Sequence, residues 1–329
     1  MLLRLLQLAG IIVVTLIVVQ KVFNLDRPQN LPVVAITQIT SHKTLDTVRD
    51  GLIKGLERQG FIDGKTMKIV YDNAHGNSSI AAQITKKFIA LRPKVIVALS
   101  TPSAQFLLRP AQENSIPLVF SAVTDPIAAG LVTAFDQTAM GVTGVSDYMP
   151  SAPQLEMIAA FMPKMTRLGV LYNPGEANSV AVLAQMEKEA KSRGVVFIRA
   201  AVNSTPEASS VARSLVGKVD AIYFPNDNTT MAAAAAVAKV ARDHNLPLFA
   251  NDSESVNDGA LAAVAYNRFA MGEKTAEIVG GILAGQSTAA FKVTYDIPSE
   301  IVVNSQTLER LGMTVPWVLS KKVRSLARS

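Results

Sequence analysis

An α/β fold of two doubly wound parallel-sheet lobes is what this sequence predicts, and three observations predict it. Short β-branched runs alternate strictly with longer amphipathic stretches from Pro32 onward. Runs such as VIVAL (95–99), LVFSAV (118–123) and LGVLY (168–172) are almost wholly apolar, which suits strands covered on both faces. The alternation also comes in two blocks, residues 33–123 and 167–252, each of four strand–helix units.

Element by element, the first block reads as strands at 33–39, 67–73, 95–100 and 118–123. Helices are predicted between them at 44–59, 79–91 and 102–113. In the first of these, Leu45, Val48, Leu52 and Leu56 fall at helical spacing and Gly60 closes the run. The second block supplies strands at 168–173, 195–202, 221–225, 246–251 and 261–265, with helices at 178–193, 205–217, 229–244 and 270–284. Residues 141–147, followed by Pro150 and Pro153, read as a crossing between blocks, and residues 266–312 as a helix-rich section. The domain expectation is one lobe at 31–145 completed by about 266–300, a second at 146–265, and a C-terminal segment with a basic tail at 301–329. Two such lobes leave a cleft between them, a favoured ligand site.

The formal net charge of +6 belongs to the ends. Arg4, Lys21, Arg27, Lys321, Lys322, Arg324 and Arg328 face only Asp26 there, and residues 31–319 balance 25 basic against 25 acidic side chains. A neutral body lacks the basic face that nucleic acid requires, so no nucleic-acid partner is expected. The basic ends read as membrane-proximal or solvated. With 0 cysteines, the chain has no disulfide framework, thiolate metal site, cysteine nucleophile or lipid-modified cysteine.

Leu5–Val19 is an apolar run of 15 residues between Arg4 and Lys21. It matches the hydrophobic region of an export signal, although no Ala-x-Ala follows for cleavage. Counted from Leu2 the run reaches 18 residues, enough to span a bilayer if Arg4 snorkels. Residues 1–30 are therefore either a cleaved signal peptide or an N-terminal membrane anchor. Both readings place the body outside the cytoplasm.

The ends of the strands carry the candidate chemistry. In open α/β sheets ligands bind beyond the carboxyl ends of strands, where helix N-termini direct free N–H groups outward. Those positions hold Ser100-Thr101-Pro102-Ser103, Ser121 with Thr124-Asp125, Asn173 through Ser179, Pro225 through Thr230 and Asn251 through Ser255. Each residue taken singly is an ordinary N-cap. Five clusters at sheet ends facing one cleft point to binding as well. Hydroxyls and helix N-termini suit a carboxylate, while Asp125, Glu176, Asp227 or Asp252 suit an ammonium group, together a zwitterion such as an amino acid. His42, which opens the first helix, is a further candidate. No H-E-x-x-H, G-x-S-x-G, phosphate-binding loop or dinucleotide fingerprint occurs, so no catalysis, cofactor or metal is expected.

At these clusters the sequence resembles the substrate-binding proteins of ABC transporters, in the family that includes tryptophan- and tyrosine-binding receptors. The motifs are Ile36-Thr-Gln-Ile39 with His42, Val119-Phe-Ser-Ala-Val-Thr-Asp-Pro126, Gly169-Val-Leu-Tyr-Asn-Pro-Gly-Glu-Ala-Asn-Ser179 and Lys218-Val-Asp-Ala-Ile-Tyr223. Asp227-Asn-Thr229, Phe249-Ala250 with Asp252, and Gly259-Ala-Leu-Ala262 continue the likeness, which covers residues 31–319. It implies a type I periplasmic-binding-protein fold with a three-stranded hinge. It also implies ligand positions at Thr101, Ser121, Thr124 and Asp125 in the first lobe. In the second lobe they fall on Asn173, Glu176, Asn178, Ser179, Asp227, Asn228 and Asp252. One departure is Asn267-Arg268-Phe269, where the family commonly has Asp-Tyr-Tyr; base rates put Arg268 on the surface.

The resemblance implies a monomeric extracytoplasmic solute receptor, exported to the periplasm or held at the inner membrane by residues 2–19. Such a receptor captures a small, amino-acid-like ligand and delivers it to an ABC permease. The alternative is a membrane-anchored sensory module of the same fold. Neither is an enzyme.

Overall fold

The computed structural model describes residues 31–136 and 141–326. The expected signal or anchor in residues 1–30 lies outside the described residues. Among the described residues no helix is long and apolar enough to cross a membrane.

The first sheet is wholly parallel, in the order β2-β1-β3-β4-β5. Its strands are β1 (Val33–Gln38), β2 (Lys68–Asn73), β3 (Val95–Leu99), β4 (Leu118–Val123) and β5 (Val142–Ser146). Three helices connect them: α1 (Lys43–Arg58), α2 (Ser78–Leu91) and α3 (Thr101–Glu113). Alternate residues serve opposite faces, as strand geometry requires. Val34, Ile36, Val95 and Val97 pack with Leu45 and Leu52 of α1, whereas Ala35, Ile96 and Ala98 pack with Phe88 of α2 and Leu107 of α3.

The second sheet runs β12-β11-β10-β9-β8-β6-β7 and is parallel except for the β10–β11 pair. Chain order gives α4 (Ser151–Phe161), β6 (Arg167–Tyr172), α5 (Ala177–Ser192), β7 (Val196–Ala201), α6 (Ala208–Ser214) and β8 (Ala221–Tyr223). It continues with α7 (Asn228–Met231), α8 (Ala234–Asp243), β9 (Leu248–Ala250), α9 (Ser253–Asn257), β10 (Ala262–Tyr266) and α10 (Arg268–Leu283). β11 (Ser299–Asn304), α11 (Ser305–Arg310) and β12 (Val323–Leu326) complete the chain.

Four differences from the sequence reading have local reasons. The segment read as a crossing contains β5, whose Gly144 breaks the apolar pattern because a Cβ there would lie 2.1 Å from the Phe120 carbonyl oxygen. Helix α4 follows directly, with Pro153 in its first turn, where a missing N–H costs nothing. The helix expected at 229–244 is two, because Ala233 N bonds Thr230 O, three residues back instead of four. Residues 299–304 and 323–326 form strands, the second at the sheet edge, where Arg324 pairs with Glu300 at 2.7 Å. The backbone of that part of the basic end is built into the sheet, and the Arg324 side chain stays 54% exposed.

α10 follows the second block in sequence yet packs on α1 of the first. The two helices touch through small residues: a Cβ on Gly51 would lie 2.2 Å from the Phe269 carbonyl oxygen, and one on Gly272 2.1 Å from that of Val48. Neither neighbour is a flexible side chain that could move aside. Gly51→Ala or Gly272→Ala is therefore expected to cost about 1–3 kcal/mol through overpacking. Lys54→Ala on the exposed side of α1 is expected to cost under about 0.5 kcal/mol. Urea unfolding midpoints of the three variants provide the check.

Candidate functional site

The carboxyl ends of both sheets meet face to face. From the first lobe come the β1–α1 turn with His42, the start of α3 with Thr101, and the end of β4 with Thr124. The second lobe presents Asn173 to Ser179 after β6, Asn226 to Thr229 after β8, and Asp252 after β9. Direct bonds join the two walls. His42 Nε2 lies 3.4 Å from Asn228 Oδ1, Thr44 donates to Asp252 at 3.0 Å, and Lys43 pairs with Asp258 at 2.5 Å.

Among the described residues three spaces lie along this junction, one of about 220 Å³ between His42–Thr44 and Met231, Glu254 and Asp258, and two nearer the strand ends. An inner cavity of about 20 Å³ is lined by His42, Thr101, Thr124, Asp147, Asn178 and Arg268, among others. An outer cleft of about 540 Å³ is lined on one side by Ile39, Pro102 and Phe106 and on the other by Asn173, Glu176 and Thr229, with Asn228 common to both spaces. The outer volume falls in the range of ligand clefts, and the inner one is far below it.

The backbone at the first wall is strained. Ser100 at the end of β3 has φ +81° and Ala122 in β4 has φ +54°, both in the left-handed region that non-glycine residues seldom occupy. Ala122 sits at a register shift between β4 and β5 and lines the inner cavity. Helix α3 begins directly after Ser100, with Thr101 lining the inner cavity and Pro102 the outer cleft. Ser100, Thr101 and Ser103 there are buried, and none of their hydroxyls has a partner.

The acids of the second wall are satisfied internally. Glu176 accepts five hydrogen bonds, from Asn178 Nδ2, Asn228 N and Nδ2, and Thr229 N and Oγ1. Asp227 caps α7 through Thr230 N at 2.7 Å and accepts Asn173 N at 2.5 Å. Asp252 caps α9 through Ser255 N at 2.8 Å. Burial, and then the adjacent Glu176 charge, push Asp227 up to about 7. Burial likewise lowers His42 from its ordinary value.

Of the residues singled out from the sequence, His42, Thr101, Thr124, Asn178 and Asn228 line the inner cavity, and Asn173 and Glu176 line the outer cleft with Asn228. Asp227 and Asp252 lie just behind the wall as caps. Ser179 is fully buried beneath it. Ser121 turns into the first lobe's interior, where its hydroxyl bonds Thr275 at 2.7 Å. Asp125 accepts Ile127 N at 3.1 Å and Ala128 N at 2.9 Å, closing its own turn.

The expectation for Arg268 is corrected. Arg268 is 4% exposed and donates to Asp147 at 2.5 Å and to Asn226 Oδ1 at 2.9 Å. An arginine at the start of a helix looks superficial in sequence; this one enters the interior because a buried carboxylate receives it. Asp147 and Asn226 were likewise missed as site residues, although Asp147 ends the crossing segment and Asn226 lies within a noted polar cluster. Among the described residues no group of histidine, aspartate and glutamate could hold a metal ion.

The family model for ABC transporter substrate binding proteins matches residues 33–326. This chain belongs to that family. The family is one of extracytoplasmic, non-enzymatic solute-binding proteins, so the substrate-binding protein described here is a receptor and not an enzyme. It is 34% identical over 280 residues to a tyrosine-binding protein of Clostridioides difficile, covering 85% of this chain and 81% of that one. A Streptococcus pneumonia ABC domain in complex with L-Trp is 30% identical, with TM-score 0.86 and coverage of 91% and 100% of the two chains. A ligand-free, open substrate binding protein with adhesive properties from Clostridium difficile is 33% identical over the same shares, with TM-score 0.66. At nearly equal identity, this substrate-binding protein superposes more closely on the L-Trp complex than on the ligand-free, open structure.

The raised Asp227 pKa makes stability depend on pH. Its value in the folded chain, about 7, lies above the ordinary 3.8. The folded state thus holds a proton that the unfolded chain loses near pH 4. Its contribution is complete below pH 4 and is lost as pH rises through 7. On going from pH 5 to pH 8, the wild type is expected to lose more stability than Asp227→Asn, measured by guanidinium unfolding at both pH values.

Proposed function

We propose that this substrate-binding protein captures an amino acid with an aromatic side chain between its lobes and delivers it to an ABC permease. The observation that carries the reading is the close superposition on the L-Trp complex, at TM-score 0.86 and 30% identity. A tyrosine-binding relative at 34% identity supports the same ligand class. The chemistry of the cleft agrees. Thr101 Oγ1, Asn178 Oδ1, Asp147 Oδ1 and Arg268 Nε, on residues lining the inner cavity, have no partners and suit a charged head group, and Ile39, Pro102 and Phe106 give the outer cleft an apolar wall.

Capture works through closure. A ligand touching both walls stabilises the closed state by its differential contacts, and the lobes rotate about the strand crossings to reach it. The bonds from His42, Lys43 and Thr44 to the second lobe then define the closed geometry that a permease would recognise. The reading places the body in the periplasm as a monomer, exported or held by residues 2–19.

The test is thermal unfolding of the purified receptor against all common amino acids. Tyrosine, tryptophan or phenylalanine should raise the melting temperature in a concentration-dependent way. By linkage, a ligand at 100 times its Kd adds about 2.7 kcal/mol. No shift with any amino acid would overturn the ligand class.

A further inference from the structure

We infer that Arg268 and Asp147 form a paired reader of the ligand's charged head group, so that the receptor selects free zwitterionic amino acids over the corresponding amines and acids. The inference rests on the proposed amino-acid binding and assigns the residues responsible.

The pair is buried, with side chains 3% and 3% exposed. Asp147 Oδ2 accepts from Arg268 Nη1 at 2.5 Å and from Asn226 Nδ2 at 2.9 Å, while Arg268 Nη2 donates to Asn226 Oδ1 at 2.9 Å. This triad leaves one atom on each charged group unused: Asp147 Oδ1 and Arg268 Nε are both buried without a hydrogen-bond partner. A buried charge needs its remaining valences filled before attraction offsets desolvation. A purely structural pair would have been completed from within, as Glu176 is by five donors.

The unused atoms belong to residues lining one cavity. Thr101 and Asn178 line it too, and Thr101 Oγ1 and Asn178 Oδ1 are likewise buried without partners. The set divides by chemistry. Asp147 Oδ1 and Asn178 Oδ1 are acceptors and suit an ammonium group. Arg268 Nε and Thr101 Oγ1 supply donors, and Thr101 opens the 13-residue helix α3, whose N-terminus favours negative charge. A carboxylate placed there completes the guanidinium with a charge-assisted bond. A ligand with only one of its two charges leaves half the set buried and unpaired, and sites of that kind reject such analogues strongly.

Calorimetric titration of the full chain with L-tyrosine, tyramine and 3-(4-hydroxyphenyl)propionate tests the assignment, with the tryptophan series beside it. The wild type should prefer the amino acid over either analogue by about 100-fold or more. Arg268→Gln should weaken the amino acid by tens of fold and tyramine far less, so their ratio collapses. Because that variant strands the Asp147 charge, Arg268→Gln with Asp147→Asn removes both charges at once. The double variant should bind amino acid, amine and acid with similar, weak affinity. Equal weakening of all three by Arg268→Gln, or a double variant that keeps its preference for the zwitterion, overturns the head-group assignment while leaving amino-acid binding intact. A wild type that binds none of the amino acids overturns both.

Discussion

The governing constraint in this molecule is that two polar surfaces must be pressed together out of water. Doubly wound sheets put helix N-termini and their capping side chains at the carboxyl ends of the strands. A cleft built from two such ends therefore has polar walls on both sides. Closing it is favourable only where each dehydrated donor and acceptor finds a partner. The two walls meet this demand differently. On the second, Glu176, Asp227 and Asp252 are engaged by backbone amides, hydroxyls and neighbouring side chains. On the first, the hydroxyls of Ser100, Thr101 and Ser103 are left without partners. The engaged acids act as a preformed platform, and the groups left without partners, these hydroxyls and Asn178 Oδ1 on the second wall, are where a ligand can add bonds the protein does not already make.

The packing of α10 on α1 sets the position of the most important of these groups. Arg268 is the first residue of α10, and the glycines at 51 and 272 bring that helix within backbone contact of α1. Asp147 directly follows β5, which is hydrogen-bonded to β4. The pair therefore joins two crossings that are 121 residues apart in sequence, each held by its own rigid element. Such placement matters for a binding group, because a side chain on a fixed helix start loses little further freedom when a ligand arrives.

Most of the fold was legible in the sequence because its signals are local. Strand periodicity in VIVAL and LVFSAV, the Leu45–Leu56 spacing and the glycine stops each report on a handful of neighbouring residues. What escaped depends on distant partners. Gly144 in β5 answers to Phe120, and β12 becomes a strand only because β11 offers an edge. The polar clusters were equally visible, and six of the candidate residues within them line the cleft, together with His42. The role of each residue within a cluster was not visible, because capping and binding draw on the same side chains. Asp125 and Ser121 show this: both sit beside the cleft in sequence, yet one closes its own turn and the other faces Thr275.

The same comparison explains why the acids that stand out in the sequence are poor candidates for receiving an ammonium group. Asp125, Glu176, Asp227 and Asp252 were attractive because they follow strands, but a carboxylate in that position is drawn to the nearest free amides of the helix it begins. All four are engaged by backbone amides, Asp227 and Asp252 by those of the helix each begins, Asp125 by those of its own turn, and Glu176 by those at the start of α7. Asp147 differs because β5 leads into a crossing whose next helix, α4, starts at Ser151, out of reach of its side chain. Its carboxylate finds no amide to cap and turns instead to Arg268 and Asn226. An acid without a helix to cap keeps a free oxygen. In a closed cleft that oxygen is the acceptor with the most to gain from a ligand, so the residue least conspicuous among the acids is the one whose chemistry remains available.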